Sequence, residues 1–222
     1  MGTVAQKRLV RRLDLERVLL QIAPHPSPRA YLEQYTVPVH VASEMLLLAA
    51  YTNDDVVGRT VVDLGCGTGR LAIGAAVLGA EKTVGIDIDG LAVRKAKESA
   101  EHLDLQSKMS WIAGDIDVLH GQFDTALQNP PFGVQKRTAD RRFLLKALEV
   151  ASTIYSLHKS GESTRVFIKR FIEANEGKVT SIFQMKLNIP RMFKFHTKRT
   201  HEINVDLYRI ERVEGSSNVY AS

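Results

Sequence analysis

The chain has 222 residues, 44% of them hydrophobic, which suffices for one packed domain and hardly for two. Thirty Lys and Arg against 25 Asp and Glu leave a formal net charge of +5, an excess that suits a polyanionic partner without proving one. A lone cysteine, Cys66, excludes an internal disulfide, no Cys/His cluster has zinc spacing, and no apolar run approaches the roughly 20 residues of a membrane span, so a metal-free cytoplasmic protein is expected.

Leu9, Leu13, Leu15, Val18, Leu19 and Ile22 recur at near-helical spacing among Lys7, Arg8, Arg11, Arg12 and Arg17, which predicts a basic-flanked amphipathic helix from Lys7 to Ile22. Pro24, Pro26 and Pro28 stop it, an irregular link follows, and a second helix is expected over Val39 to Tyr51. Thr60 to Leu64 is a short apolar strand, followed by the turn Gly65-Cys66-Gly67-Thr68-Gly69 and a helix rich in Ala and Leu up to Leu78. Lys82 to Asp87, Lys108 to Ala113 and Phe123 to Gln128 read as further strands, with a helix from Gly90 to Leu103 between the first two. The alternation implies a parallel sheet with helices on its faces. After that the rhythm breaks: a helix from Arg141 to about Ser152, a strand-like Thr153 to His158, and a helix from Thr164 to Asn175. Two alternating runs, Val179 to Leu187 and Ile203 to Leu207, then predict a closing antiparallel hairpin. The expected division is a helical, site-covering extension over 1–55, an α/β core over 56–213 and a frayed polar tail over 214–222.

The stretch Asp63 to Gly69 sits where a strand passes into a helix, the edge at which open α/β sheets meet their ligands. Glycine suits such a turn because a Cβ would collide with the ligand or forbid the bend. The alternative for the triplet alone is a plain tight turn. Asp87 ends the next strand about twenty residues on, where a carboxylate can accept from both hydroxyls of a ribose. Asp89 fits a helix cap better. Asp115 is placed to accept from an adenine amino group with Ile116 packed beside it, or else is a surface turn residue. Cys66 reads as a small spacer rather than a nucleophile.

Asn129-Pro130-Pro131-Phe132 follows the fourth strand directly. The prolines stiffen the backbone, fixing the Asn129 side chain relative to the Pro130 carbonyl. Two fixed acceptors can bind both hydrogens of an adenine amine and aim its lone pair at a methyl donor, with no metal or covalent intermediate. Phe132 can stack on the target base, worth about 1 to 3 kcal/mol in comparable single-strand settings, once that base has left its stack. The alternative is a strand-ending turn with Phe132 in the core.

With these residues in place, the chain resembles the class I S-adenosylmethionine-dependent methyltransferases, a Rossmann-like fold. More closely it is similar to the methyltransferase-like protein 5 family, which installs N6-methyladenosine in small-subunit ribosomal RNA. The likeness includes Leu32-Glu33-Gln34-Tyr35, Asp63 to Gly69, Gly85 to Asp89, Asn129 to Gly133, Tyr155 to Lys159, Lys194-Phe195-His196 and Val205-Asp206-Leu207. The resemblance implies S-adenosylmethionine as cofactor, held by Gln34, Gly65, Thr68, Arg70, Asp87, Asp115 and Ile116, with Asn129, Pro130, Pro131 and Phe132 as the catalytic loop. Asp63, Gly67, Ile88 and Asn129 complete the expected cofactor set. The family places a Thr where Val37 stands here, so a contact from the adjacent Thr36 replaces it in the expectation. The resemblance also implies a small zinc-binding activator protein as partner.

For RNA, Arg191, Lys194, Lys198 and Arg199 alternate with aromatic residues and lack acidic neighbours, either to grip a loop RNA or as a solvated hairpin turn. Lys136, Arg137, Arg141 and Arg142 would border the active-site mouth. Cations at a helix start oppose its dipole and so look less like stability choices. Glutamine-amide methylation of a protein is the weaker enzyme reading, because such enzymes carry Tyr where Phe132 stands. DNA adenine methylation and a non-catalytic RNA-binding module are the remaining alternatives.

Overall fold

The computed structural model describes residues 9–29, 34, 36–131, 139–190 and 200–213. Within them seven strands form one sheet. β1 (Thr60–Leu64), β2 (Lys82–Asp87), β3 (Met109–Ala113), β4 (Phe123–Gln128) and β5 (Ala151–Lys159) are parallel, and β6 (Gly177–Pro190) and β7 (Thr200–Arg212) close the sheet antiparallel. Their order is β3-β2-β1-β4-β5-β7-β6, so the predicted α/β class and closing hairpin are both present. β1 is buried from Val61 to Leu64, the usual state of an interior parallel strand covered on both faces, and Asp63 is its one charged residue.

The helices are α1 (Arg12–Gln21), α2 (Val39–Leu47), α3 (Arg70–Leu78), α4 (Gly90–His102), α5 (Ala139–Val150) and α6 (Glu162–Glu173). One face of the sheet packs against α2 and α3 through Met45, Leu46 and Ile73, with α1 laid on those two helices through Leu15 and Leu19; the other packs against α5 and α6 through Leu144, Ala147, Ile168 and Ile172. α2 runs on through a π-helical turn, Leu48–Thr52.

Several boundaries differ from expectation. The predicted break after β4 does not occur, because α5 leads straight into β5, which pairs parallel with β4. α1 begins at Arg12, where Asp14 supplies a favourable acidic group to the first turn. α6 starts at Glu162 and ends before Asn175, whose side chain donates to the Phe171 carbonyl at 2.7 Å. The hairpin strands run well past their apolar alternation, since each pairs with the other over its full length.

Asp55, just before β1, ties the fold together. Its carboxylate accepts from the Tyr155 hydroxyl at 2.6 Å and from Arg209 Nε at 2.8 Å, joining the entry to β1 with β5 and β7.

One register row matters for function. Ile112, Ile86, Leu64, Gln128, Ser156 and Tyr208 are successive partners across β3, β2, β1, β4, β5 and β7. The residues that follow Leu64, Ile86 and Gln128 are Gly65, Asp87 and Asn129, so three motifs far apart in sequence emerge side by side at the same edge of the sheet.

Candidate active site

The glycine turn is held from below. The amides of Gly65 and Cys66 both donate to the Ile86 carbonyl at 2.9 Å, and the Gly67 amide donates to Asp87 Oδ2 at 2.8 Å. Gly67 has φ +53°, and a Cβ built there would meet nothing within 4 Å, so its upper side is open. Gly69 serves packing instead. A Cβ there would lie 2.7 Å from the Trp111 ring and 2.9 Å from the Ala96 methyl, so its absence lets α3 close onto β3 and α4. The Phe143 ring of α5 covers Gly65 from the other side.

Asp87 accepts one amide on each carboxylate oxygen, Gly67 on Oδ2 and Asp89 on Oδ1, both at 2.8 Å. Each oxygen keeps a further lone pair. Burial raises the carboxyl pKa, against the amides of Asp89 and Gly67, which lower it. Beside it the large apolar side chain of Ile88 is 59% exposed. Asp89 caps α4 as expected, accepting from the Leu91 amide at 2.9 Å. Its other oxygen takes Gln34 Nε2 at 3.0 Å and lies 3.2 Å from His25 Nε2. Against the opposing effect of burial, these hydrogen bonds and the nearby His25 hold the Asp89 carboxyl down at about 2.

The other residues of the expected cofactor set mostly engage the chain itself. Asp63 is fully buried, and its carboxylate accepts from the Ala72 amide at 3.0 Å, so it steadies α3 beneath the turn. Burial pushes its pKa up to about 7. Thr68 is buried, and its hydroxyl finds no partner among the described residues. Arg70 donates to the carbonyls of Val37 and Ile22 at 2.5 and 3.2 Å, and Gln34 Oε1 accepts from the Arg29 amide at 2.9 Å; both residues anchor the segment that leads in from α1. Val37 is packed in the apolar core, which explains a valine there, while Thr36 stays half-buried. Cys66 is buried and burial pushes its thiol pKa up, as suits a spacer.

Asp115 caps a short 3-10 turn, Ile116–Val118, by accepting from the Asp117 amide at 3.0 Å, and it pairs with Arg142 of α5. Arg142 Nε also donates to Asp117 at 3.2 Å. Ile116 is buried below them. Arg141 lies over the Phe167 ring, 4.7 Å from its centroid. Arg141 and Arg142, two of the residues expected at the mouth, therefore have partners within the chain. Asn129 is half-buried and Pro130 buried, directly after β4. Phe132, Lys136, Arg137, Arg191, Lys194, Lys198 and Arg199 lie outside the described residues.

Sequence reasoning missed His25 and the Ser156–His158 pair, whose Oγ and Nε2 are 2.6 Å apart. Ser156 and His158, alternating on one face of β5 among the apolar Ile154, Tyr155 and Leu157, were the available signal.

A donor with a ribose, an adenine ring and a methylated sulfonium fits this edge. Asp87 has acceptor capacity for a diol, Ile88 offers an uncovered apolar face, and Gly67 leaves the space a side chain would fill. A sheet of this order, with a glycine turn and an acidic residue at the tips of β1 and β2, defines a class I methyltransferase, and S-adenosylmethionine is its methyl donor.

Comparison with known proteins narrows the class. Residues 38–188 match the model of the methyltransferase small domain family. An uncharacterized protein of Methanocaldococcus jannaschii is 38% identical over 217 residues, covering 92% of this chain and 96% of its own. The rRNA N(6)-adenosine-methyltransferase METTL5 of Danio rerio is 38% identical over 204 residues, covering 88% of this chain and 96% of that protein. A crystal structure from Pyrococcus horikoshii, whose name suggests an RNA methyltransferase, superposes with a TM-score of 0.85 at 37% identity, over 93% of this chain and 100% of the other. The chain belongs to the methyltransferase small domain family and, within it, to the METTL5 group. No helix among the described residues is long and apolar enough to cross a membrane.

Proposed function

We propose that this protein methylates the N6 nitrogen of an adenosine in ribosomal RNA, of the small subunit, in the cytoplasm. The observation that carries the reading is the register row: Leu64 pairs with both Ile86 and Gln128, so Gly65, Asp87 and Asn129 issue from neighbouring strand tips. That arrangement supports a donor cradle beside an amine-binding turn. When bound, S-adenosylmethionine supplies an electrophilic methyl on a sulfonium. The chain's own part is to hold and orient. Asp87 takes the ribose hydroxyls, Gly65, Gly67 and Thr68 admit the donor, and Asp115, Ile88 and Ile116 border its adenine. Gln34, Thr36 and Arg70 belong to the cover over this pocket, and Asp63 sets the turn from below.

On the target side, the amine's lone pair is delocalised into the purine ring. The Asn129 side-chain oxygen and the Pro130 carbonyl accept its two hydrogens and turn the remaining lone pair toward the donor. Pro131 stiffens the turn, and Phe132 stacks on the base. Lys136, Arg137, Arg141 and Arg142 border the mouth, and Arg191, Lys194, Lys198 and Arg199 grip the RNA backbone. The region 1–55 acts as a cover over a 56–213 core, with 214–222 as a tail. A small zinc-binding activator protein belongs to the same reading, and a rise in melting temperature on mixing the two would support it.

Asn129→Ala tests the central claim. Calorimetry should show S-adenosylmethionine binding within about threefold of the parent, while transfer to rRNA falls at least about 100-fold. Undiminished transfer would remove the catalytic role of the loop. Matched RNA and DNA oligonucleotides distinguish the nucleic acid, and RNA is expected to be the better substrate.

A further inference from the structure

The register row under the site changes character midway. Ile112, Ile86 and Leu64 lie beneath the donor half, whereas Gln128, Ser156 and Tyr208 lie beneath the target half, all three wholly buried. Burying a polar group without a partner costs about 1 to 3 kcal/mol, so three in a row need a use.

They are linked. Gln128 Nε2 donates to Ser156 Oγ at 2.9 Å, and Ser156 Oγ lies 2.6 Å from Nε2 of His158, two residues nearer the loop end of β5. Gln128 takes one lone pair of the hydroxyl, and a single proton, carried by Oγ or by Nε2, joins it to the imidazole. Burial keeps that ring neutral, lowering its pKa to about 3 against the pull of Asp206. Asp206 is neutralised by Arg165 of α6, with contacts of 2.7 and 3.0 Å, rather than by the histidine. Tyr208 meets the imidazole edge-on, with ring centroids 5.5 Å apart, and so fixes its plane. Gln128 Oε1 and the Tyr208 hydroxyl find no partner among the described residues.

Gln128 is bonded to Asn129. We propose that Ser156 and His158 are positioning residues for methyl transfer: through Gln128 they set the orientation of the Asn129-Pro130 turn and hence of its two acceptors. The proposal rests on the adenine-methylating reading of this site. Its expected signature is in kcat, because the donor cradle stands on the apolar half of the row.

The test uses the full chain, radiolabelled S-adenosylmethionine, and ribosomal RNA from cells lacking the protein. Ser156→Ala and His158→Phe should lower kcat by about 10- to 100-fold, the scale of a small misplacement of reacting groups. KM for S-adenosylmethionine and its calorimetric affinity should stay within about twofold, a split that general loosening of the fold would not give. Ser156→Thr, which keeps the hydroxyl, and His158→Gln, which keeps an acceptor, should recover most of the rate. Should Ser156→Ala fail to fold, the two His158 variants make the same comparison. Parental kcat in the disruptive variants, or equal losses in the disruptive and conservative ones, would overturn the positioning role while leaving the reaction standing. A parent chain that transfers no methyl to adenosine would overturn both.

Discussion

Gly67 and Gly69 stand two positions apart and serve opposite ends, which single substitutions can separate. In Gly67→Ala the new methyl meets no protein atom, so the stability loss should be limited to the positive-φ strain, about 1 to 2 kcal/mol. In the proposed site that methyl enters the space taken by the donor, so calorimetry should show S-adenosylmethionine affinity reduced at least about tenfold, on the scale of 1.4 kcal/mol per decade. Gly69→Ala drives its methyl into Trp111 and Ala96, adding overpacking of about 1 to 3 kcal/mol to the same backbone strain, and should melt lower than Gly67→Ala. Asp63 gives a second residue-level prediction. Its folded pKa, about 7, stands above the ordinary value of 3.8, so between those limits the folded chain holds a proton that the unfolded chain has released. Stability therefore falls as pH rises through that window, and above it the core carries a charge. Asp63→Asn keeps an acceptor for the Ala72 amide and removes the charge. Thermal melts should show a gain of about 1 to 4 kcal/mol at pH 8 that shrinks toward zero near pH 4. A gain independent of pH would contradict the buried-charge account.

Among the elements, the segment between α1 and α2 is fastened at two points near the donor cradle. Arg70 at the start of α3 binds the carbonyls of Ile22 and Val37, and Asp89 at the start of α4 binds Gln34 and His25. Arg70→Met keeps the apolar stem and loses both hydrogen bonds. Amide hydrogen exchange should then quicken across 22–37, and S-adenosylmethionine affinity should drop about 3- to 10-fold, equivalent to about 1 kcal/mol. Neither fastening was legible in the sequence, because each joins residues more than thirty positions apart that share no motif. β1, β2 and β4 were read with the bounds they have, since interior parallel strands are apolar runs with turn residues at their tips. β6 and β7 outran their predicted lengths at polar residues such as Lys178 and Glu211, which pair across the hairpin and carry no local strand signal.

On the scale of the molecule, the candidate site was visible as motifs while its foundation was not. Gly65, Asp87 and Asn129 announce themselves because ligand edges favour recognisable turn chemistry. Ser156, His158, Asp206 and Arg165 meet across β5, β7 and α6; the alternation of Ser156 and His158 marks one strand face, and nothing foretells Asp206 and Arg165 beside it. The net charge of +5 also belongs to this scale. If RNA is held mainly through phosphates, raising salt from about 50 to 200 mM should weaken RNA binding by an order of magnitude or more, while donor affinity barely moves. Equal salt sensitivity of the two ligands would argue against a polyanionic substrate.

The joining of Asp55 to Arg209 has a kinetic corollary. Partners 154 positions apart can meet only after most of the intervening chain has been drawn into a closed loop, whose entropic toll precedes any stabilising contact. Refolding should accordingly be slow for a molecule this size, with the near-native sheet waiting on its inner antiparallel strand, and Asp55→Ala should hasten unfolding far more than it retards the earliest collapse.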